Sequence, residues 1–177
     1  MYIWTGIYVE DQLPGLKQKR DDVARLFAAP RPEHALPLHV SLKISFPVPD
    51  GEAAAVIGAI GDCLRGTSPF SLPVRGVERE EGIVWVRMGE CPPLAALQTR
   101  LNDLLAERFA VPRHPYDLDF KFHATLFMDE DREKTAKAFA LLKDAPLPSS
   151  LVARRFVVGT SPTGKPGSYA IVFDAAL

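Results

Sequence analysis

The chain has 177 residues with a formal net charge of −1, two cysteines and four histidines. Two cysteines exclude a disulfide framework and a four-thiolate zinc site, and the near-neutral charge excludes broad electrostatic capture of duplex DNA. No run approaches the roughly eighteen apolar residues of a membrane span, and residues 1–10 lack the basic start of a signal peptide. The expectation is therefore a cytoplasmic protein with no membrane attachment.

Taken in chain order, Met1 to Val9 is aromatic and β-branched and predicts a strand. Pro14 opens a helix with apolar Leu16, Val23, Leu26 and Phe27, stopped by Pro30 and Pro32. Leu38 to Val48 predicts a second strand. Asp50 then serves as N-cap of a helix whose Ala53, Val56, Ile57, Ile60 and Leu64 form one stripe, with Gly66 at its stop. Strands over Phe70–Glu78 and Ile83–Met88 follow, joined by a turn at Glu80 to Gly82.

A similar order then repeats. Pro92 and Pro93 open a helix with Leu94, Leu97, Leu101, Leu104 and Leu105 on one face, and a Pro- and Asp-rich loop leads to a strand over Phe120–Met128. Asp129 to Asp131 begin a helix carrying Phe139 and Leu142; a strand over Leu151–Gly159 and a last one over Tyr169–Phe173 end the chain. Residues 1–78 and 83–159 thus share the order strand, helix, strand, helix, strand. This predicts one α+β domain over 1–177, internally duplicated and bilobal, with small sheets backed by helices and a central cleft. The last strand is left over to pair with an element of the first half.

Two histidines fall at corresponding positions of the halves, in His39-Val40-Ser41-Leu42 and His123-Ala124-Thr125-Leu126. Strand alternation puts His39 with Ser41, and His123 with Thr125, on one face each. Across a pseudo-dyad, two imidazoles and two hydroxyls would converge. Imidazoles of near-neutral pKa suit one general acid and one general base, and hydroxyls can hold phosphoryl oxygens. The bland alternative is a pair of half-buried strand histidines bonded to neighbouring hydroxyls.

These two stretches resemble the paired H-x-[ST]-x motifs of the two-histidine (2H) phosphoesterase superfamily, which includes 2′-5′ RNA ligase-like proteins and cyclic nucleotide phosphodiesterases. The resemblance covers nearly the whole chain. It implies a bilobal α+β fold and action without metal or other cofactor on a 2′,3′-cyclic phosphate or 2′-5′ phosphodiester. His39 would give a proton to the leaving oxygen, His123 would activate water, and Ser41 and Thr125 would bind phosphate. The partner would be a small nucleotide or an RNA terminus, bound by a monomer. A non-catalytic module holding RNA ends or nucleotides in the same cleft is the alternative, and a scaffold whose histidines only stabilise strands is a third.

Strict alternation also puts Lys43 on the face of His39, and Lys121 on that of His123, as possible cationic contacts to substrate; either could equally be a lysine at a strand end. Only one of Arg154 and Arg155 can reach the groove. Tyr8, Phe46 and Tyr116 are candidates for base stacking, with core packing favoured for most aromatics, Trp4 and Trp85 included. Gly159 to Lys165 superficially resembles a phosphate loop, but Pro166 stands where a hydroxyl is needed and no helix follows, so a hairpin turn is expected. His34 and His114 read as surface residues, with His114 a possible groove residue, and Cys63 and Cys91 as structural ones.

Overall fold

A computed structural model describes residues 1–28, 36–117 and 120–177. Pro30, Pro32 and His34 lie outside them. Strand β1 (Tyr2–Tyr8) is followed by α1 (Pro14–Leu26), which has proline at the start of its first turn, where the missing N–H costs nothing. Next come β2 (His39–Pro47), α2 (Ala53–Leu64), β3 (Phe70–Glu80) and β4 (Ile83–Met88). The second half adds α3 (Pro92–Phe109), β5 (His123–Met128), α4 (Arg132–Leu142), β6 (Ser150–Ala153), β7 (Arg155–Ser161) and β8 (Ala170–Ala176).

Three local expectations change. Asp50 does not cap α2: it begins a short 3₁₀ turn, Asp50–Glu52, and its carboxylate accepts from the Met1 amine at 2.8 Å. Leu26 is 66% exposed, because α1 buries Leu16 and Val23 on one side and turns its last residue outward. The strand expected over Leu151–Gly159 is two strands in different sheets, divided at Arg154. By contrast, α4 begins as its sequence indicates, with the Asp131 carboxylate accepting from the backbone N–H groups of Glu133 and Lys134.

The strands form two four-stranded antiparallel sheets, ordered β2-β1-β7-β8 and β5-β4-β3-β6. Each half therefore lends its last strands to the other: β3 lies beside β4, and β7 lies beside β1 with β8 outside it. Helix α3 packs on β2 with α2 beside it, while α4 packs on β3, β4 and β5 with α1 beside it. Leu94, Leu97, Leu101 and Leu105 of α3 are buried in the shared core with Ile3, Ile7, Val84 and Val86. Each such side chain contributes about 2 kcal/mol by leaving water.

The motif strands β2 and β5 are the edge strands of their sheets and lie against one another. Both carry a bulge at the same point. In β1–β2, Gly6 pairs with Ser41 but Thr5 pairs with Lys43; in β4–β5, Trp85 pairs with Thr125 but Val84 pairs with Phe127. One extra residue follows the motif hydroxyl in each strand, and a second irregularity lies further along β2 between the Thr5 and Ile3 pairs. An extra residue inverts the alternation beyond it. Leu42 and Lys43 are accordingly both buried, as are Leu126 and Phe127.

Candidate active site

The bulges decide which side chains reach the cleft. His39, Ser41 and Thr125 line one cavity of about 390 Å³, together with Ile44, one residue past Lys43. His123 stands two residues before Thr125 on β5, and its charge acts on His39 across the gap between the strands. Both hydroxyls and His39 line this cavity, and His123 stands next to it on the facing edge strand without lining it.

Each imidazole is held in the same way. His39 Nδ1–H donates to the Pro37 carbonyl at 2.7 Å, and His123 Nδ1–H donates to the Lys121 carbonyl at 2.5 Å. A carbonyl oxygen only accepts, so Nδ1 carries the proton in both rings and the neutral forms keep a free lone pair on Nε2. Each ring also rests against a tryptophan: Trp4 meets His39 edge-on at 4.1 Å, and Trp85 meets His123 at 4.3 Å with the planes 31° apart. Trp4 and Trp85 are 4% and 6% exposed, so they are core residues as expected, but their outer faces form the floor beneath the histidines. Trp4 reaches His39 because Gly6 and Gly159 leave room for its ring; a Cβ on Gly6 would stand 2.8 Å from the Val40 carbonyl and 3.1 Å from the indole. Trp4 Nε1–H donates to Ser41 Oγ at 3.2 Å, which leaves the serine proton free for another acceptor.

Burial moves both imidazoles the same way. Loss of water around His39 drives its pKa down to about 4, against the Pro37 hydrogen bond and aided by the His123 and Arg20 charges. The His123 pKa is also lowered, by burial first and also by the Arg87 charge, with the Lys121 carbonyl and Glu80 opposing. The stretch before His39 is clamped: Glu10 accepts from the Leu38 N–H at 2.9 Å, and Arg20, paired with Glu10 and Asp21, donates to the Leu36 carbonyl at 3.2 Å. Residue types alone give no sign of this clamp, because it joins residues 10, 20 and 36–38 only through the fold.

The expected cationic contacts lie elsewhere. Beyond the bulge Lys43 points away from the histidines; it is 2% exposed and its ammonium pairs with Asp117 at 2.5 Å and donates to the Pro112 carbonyl. The Lys121 ammonium is held by both carboxylate oxygens of Glu80, at 2.9 and 2.8 Å. Tyr116 is 70% exposed and stacks on His114, outside the histidine cavity. Phe46 is buried, and Tyr8 lies beneath the Arg155 guanidinium. Neither Arg154, paired with Asp11, nor Arg155, paired with Asp174, lines the cavity. The stretch from Gly159 to Lys165 runs into the β7–β8 hairpin connection, as expected, and Gly164, Pro166, Gly167 and Tyr169 add a wall that sequence reasoning did not assign.

A family model described as the 2′-5′ RNA ligase superfamily matches residues 14–162. The chain belongs to that superfamily. This family falls within the two-histidine phosphoesterases, the group that the paired motifs resemble. A search of the curated proteins finds no match. Among solved structures, TT0787 of Thermus thermophilus is similar in fold, with a TM-score of 0.68 and 18% identity over 100% of this chain and 98% of that one. LigT of E. coli in complex with NADP+ gives a TM-score of 0.59 and 17% identity over 99% and 96% of the two chains. Usb1 of Kluyveromyces marxianus gives 0.51 and 13% over 99% and 98%. The bilobal α+β fold of this 2′-5′ RNA ligase superfamily member is therefore shared across bacterial and yeast proteins.

Proposed function

We propose that this protein is a phosphodiesterase that opens a 2′,3′-cyclic phosphate or a 2′-5′ phosphodiester of a nucleotide or RNA end, with His39 and His123 as its acid–base pair. The observation that carries this reading is the matched presentation of two Nε2 atoms. Each is fixed by an Nδ1–H to a carbonyl two residues upstream, each belongs to a motif whose hydroxyl lines the cavity, and the strands face each other. E. coli LigT, similar in fold, has been solved with 3′-AMP and with phosphate.

In this reading His39 is the base and His123 the acid, the reverse of the order the resemblance implies. His39 is the more deeply desolvated and is neutral at pH 7. Burial and the Arg87 charge lower the His123 pKa in the free protein. The Trp85 ring beside it favours an imidazolium, and a bound phosphate anion opposes the lowering, so the acid is charged when substrate arrives. His39 Nε2 takes a proton from water as the water oxygen attacks phosphorus. The P–O bond to the leaving ribose oxygen breaks, and that oxygen takes the proton from His123 Nε2. The product is a phosphomonoester beside a free hydroxyl, and one proton has passed from His123 to His39 by way of the reactants. Ser41 and Thr125 donate to non-bridging oxygens as charge builds on them.

The test is hydrolysis of 2′,3′-cyclic nucleotides in excess EDTA. Turnover lost in His39→Ala and His123→Ala supports the reading. Turnover that survives both substitutions overturns it, and turnover abolished by the chelator removes the metal-free mechanism. Binding without any product would instead favour a non-catalytic module.

A further inference from the structure

Arg87 is in direct register with His123 on the neighbouring strand, so the two side chains lie on the same face of the sheet. Its Nη1 is buried and has no hydrogen-bond partner among the described residues, and no carboxylate there pairs with it. The corresponding slot beside His39 holds Tyr8, and the cation over that ring, Arg155, is neutralised by Asp174. One lobe has satisfied its cation, while the other keeps a guanidinium with a dry, unused donor. Leaving such a group unpaired is costly unless an anion completes it.

Arg87 lines a second cavity, of about 620 Å³, with Arg75, Phe120 and Phe122. The two phenyl rings lie 5.1 Å apart just upstream of His123. Glu78 and Glu90 stand exposed on the same wall, so the cavity has no bulk positive charge and selects through local donors.

From this placement we infer that the second cavity is a subsite for the 5′-phosphate of the nucleotide held at the histidines, and for the base that precedes it. The inference rests on the phosphodiesterase reading and narrows its substrate to the 3′ end of an oligoribonucleotide. Arg87 takes the flanking phosphate, Arg75 supports it from the open side, and Phe120 offers a ring on which the preceding base can stack.

The test compares calorimetric affinities of uridine 3′-monophosphate and uridine 3′,5′-bisphosphate, which differ only in the flanking phosphate, for the native chain, Arg87→Gln and Arg75→Gln. The native protein should bind the bisphosphate at least about 10-fold tighter. That ratio should fall to about 1 in Arg87→Gln and by about 3-fold in Arg75→Gln, and the slope of log affinity on log salt should drop by about 0.7 in Arg87→Gln. If Arg87→Gln does not fold, the exposed Arg75→Gln decides the question. Equal native affinities, a ratio unmoved by substitution, or no binding of either ligand would overturn the subsite. Failure of the phosphodiesterase reading shows separately, as a bisphosphate preference without turnover of any cyclic phosphate.

Discussion

His39 and His123 fill the same slot in two lobes, on strands with the same bulge, yet the lobes hold them by different means. The His39 lobe is internally neutralised: Glu10, Arg20 and Asp21 clamp the approach to the ring, and the cation beyond it is paired. The His123 lobe is held by backbone and by an exposed Lys121–Glu80 pair, and it keeps Arg87 uncommitted. Duplication thus repeats the backbone device and leaves the electrostatics free to diverge. In the proposed reaction the more buried imidazole is the base, and the more accessible one, whose proton the substrate anion must stabilise against the Arg87 charge, is the acid.

The sharpest attempt to break that pairing is replacement of either histidine. His39→Ala and His123→Ala should each lower kcat/KM on a cyclic nucleotide by about 10²- to 10⁴-fold, with the double variant little worse than either. Losses that multiply would mean that the two act independently. The division of labour can be read from the leaving group, since p-nitrophenolate departs without a proton. On a nucleoside p-nitrophenyl phosphate, His123→Ala should regain most of its activity and His39→Ala should not; the opposite pattern would restore His39 as the donor.

The two lysines contrast in stability rather than rate. Lys43→Met strands a buried carboxylate and should cost about 3–5 kcal/mol in urea unfolding, while Lys121→Ala should cost about 0–1 kcal/mol. A Lys43 variant with native stability and weakened substrate binding would return that lysine to the site.

The hydroxyls are expected to differ more subtly. Ser41→Ala leaves the Trp4 N–H without its acceptor and should lose about 1–3 kcal/mol of stability besides affinity. Thr125→Val should weaken phosphate binding with little change in unfolding. Equal stability losses would mean that the tryptophan contact counts for nothing.

The last contrast concerns pH. The folded pKa of His39, about 4, lies below its unfolded value near 6.5. The folded protein therefore binds fewer protons in that window, and stability present above 6.5 is lost as pH falls toward 4. The melting temperature should drop over this range, less so with phosphate bound, and His39→Gln should flatten the drop. An unchanged slope in that variant would contradict the desolvation of His39.

The motifs and most elements were legible because helix and strand periods and the repeated His-x-hydroxyl spacing are local signals. The bulges were not, since an extra residue is defined only against the partner strand, and strict alternation therefore sent Lys43 to the wrong face. Arg87 was invisible for the same reason: its relation to His123 is a cross-strand register. Trp4 and Trp85 were read correctly as buried, but burial does not say which face of an indole stays open to a neighbour.

The exchange of strands between the halves also governs how the protein is made. Sheet one closes only when β1, at residues 2–8, meets β7, at residues 155–161. Thr5 Oγ1 donates to the Val157 carbonyl across nearly the full length of the chain. Closing so long a loop costs entropy before any contact repays it, which predicts slow folding for the chain's size. A nascent chain emerging from the ribosome can form helices, the β3–β4 hairpin and the β1–β2 pair that α1 connects early. The floor beneath His39, however, stays open at Trp4 until Gly159 arrives, so the site is assembled only after β7 has been made.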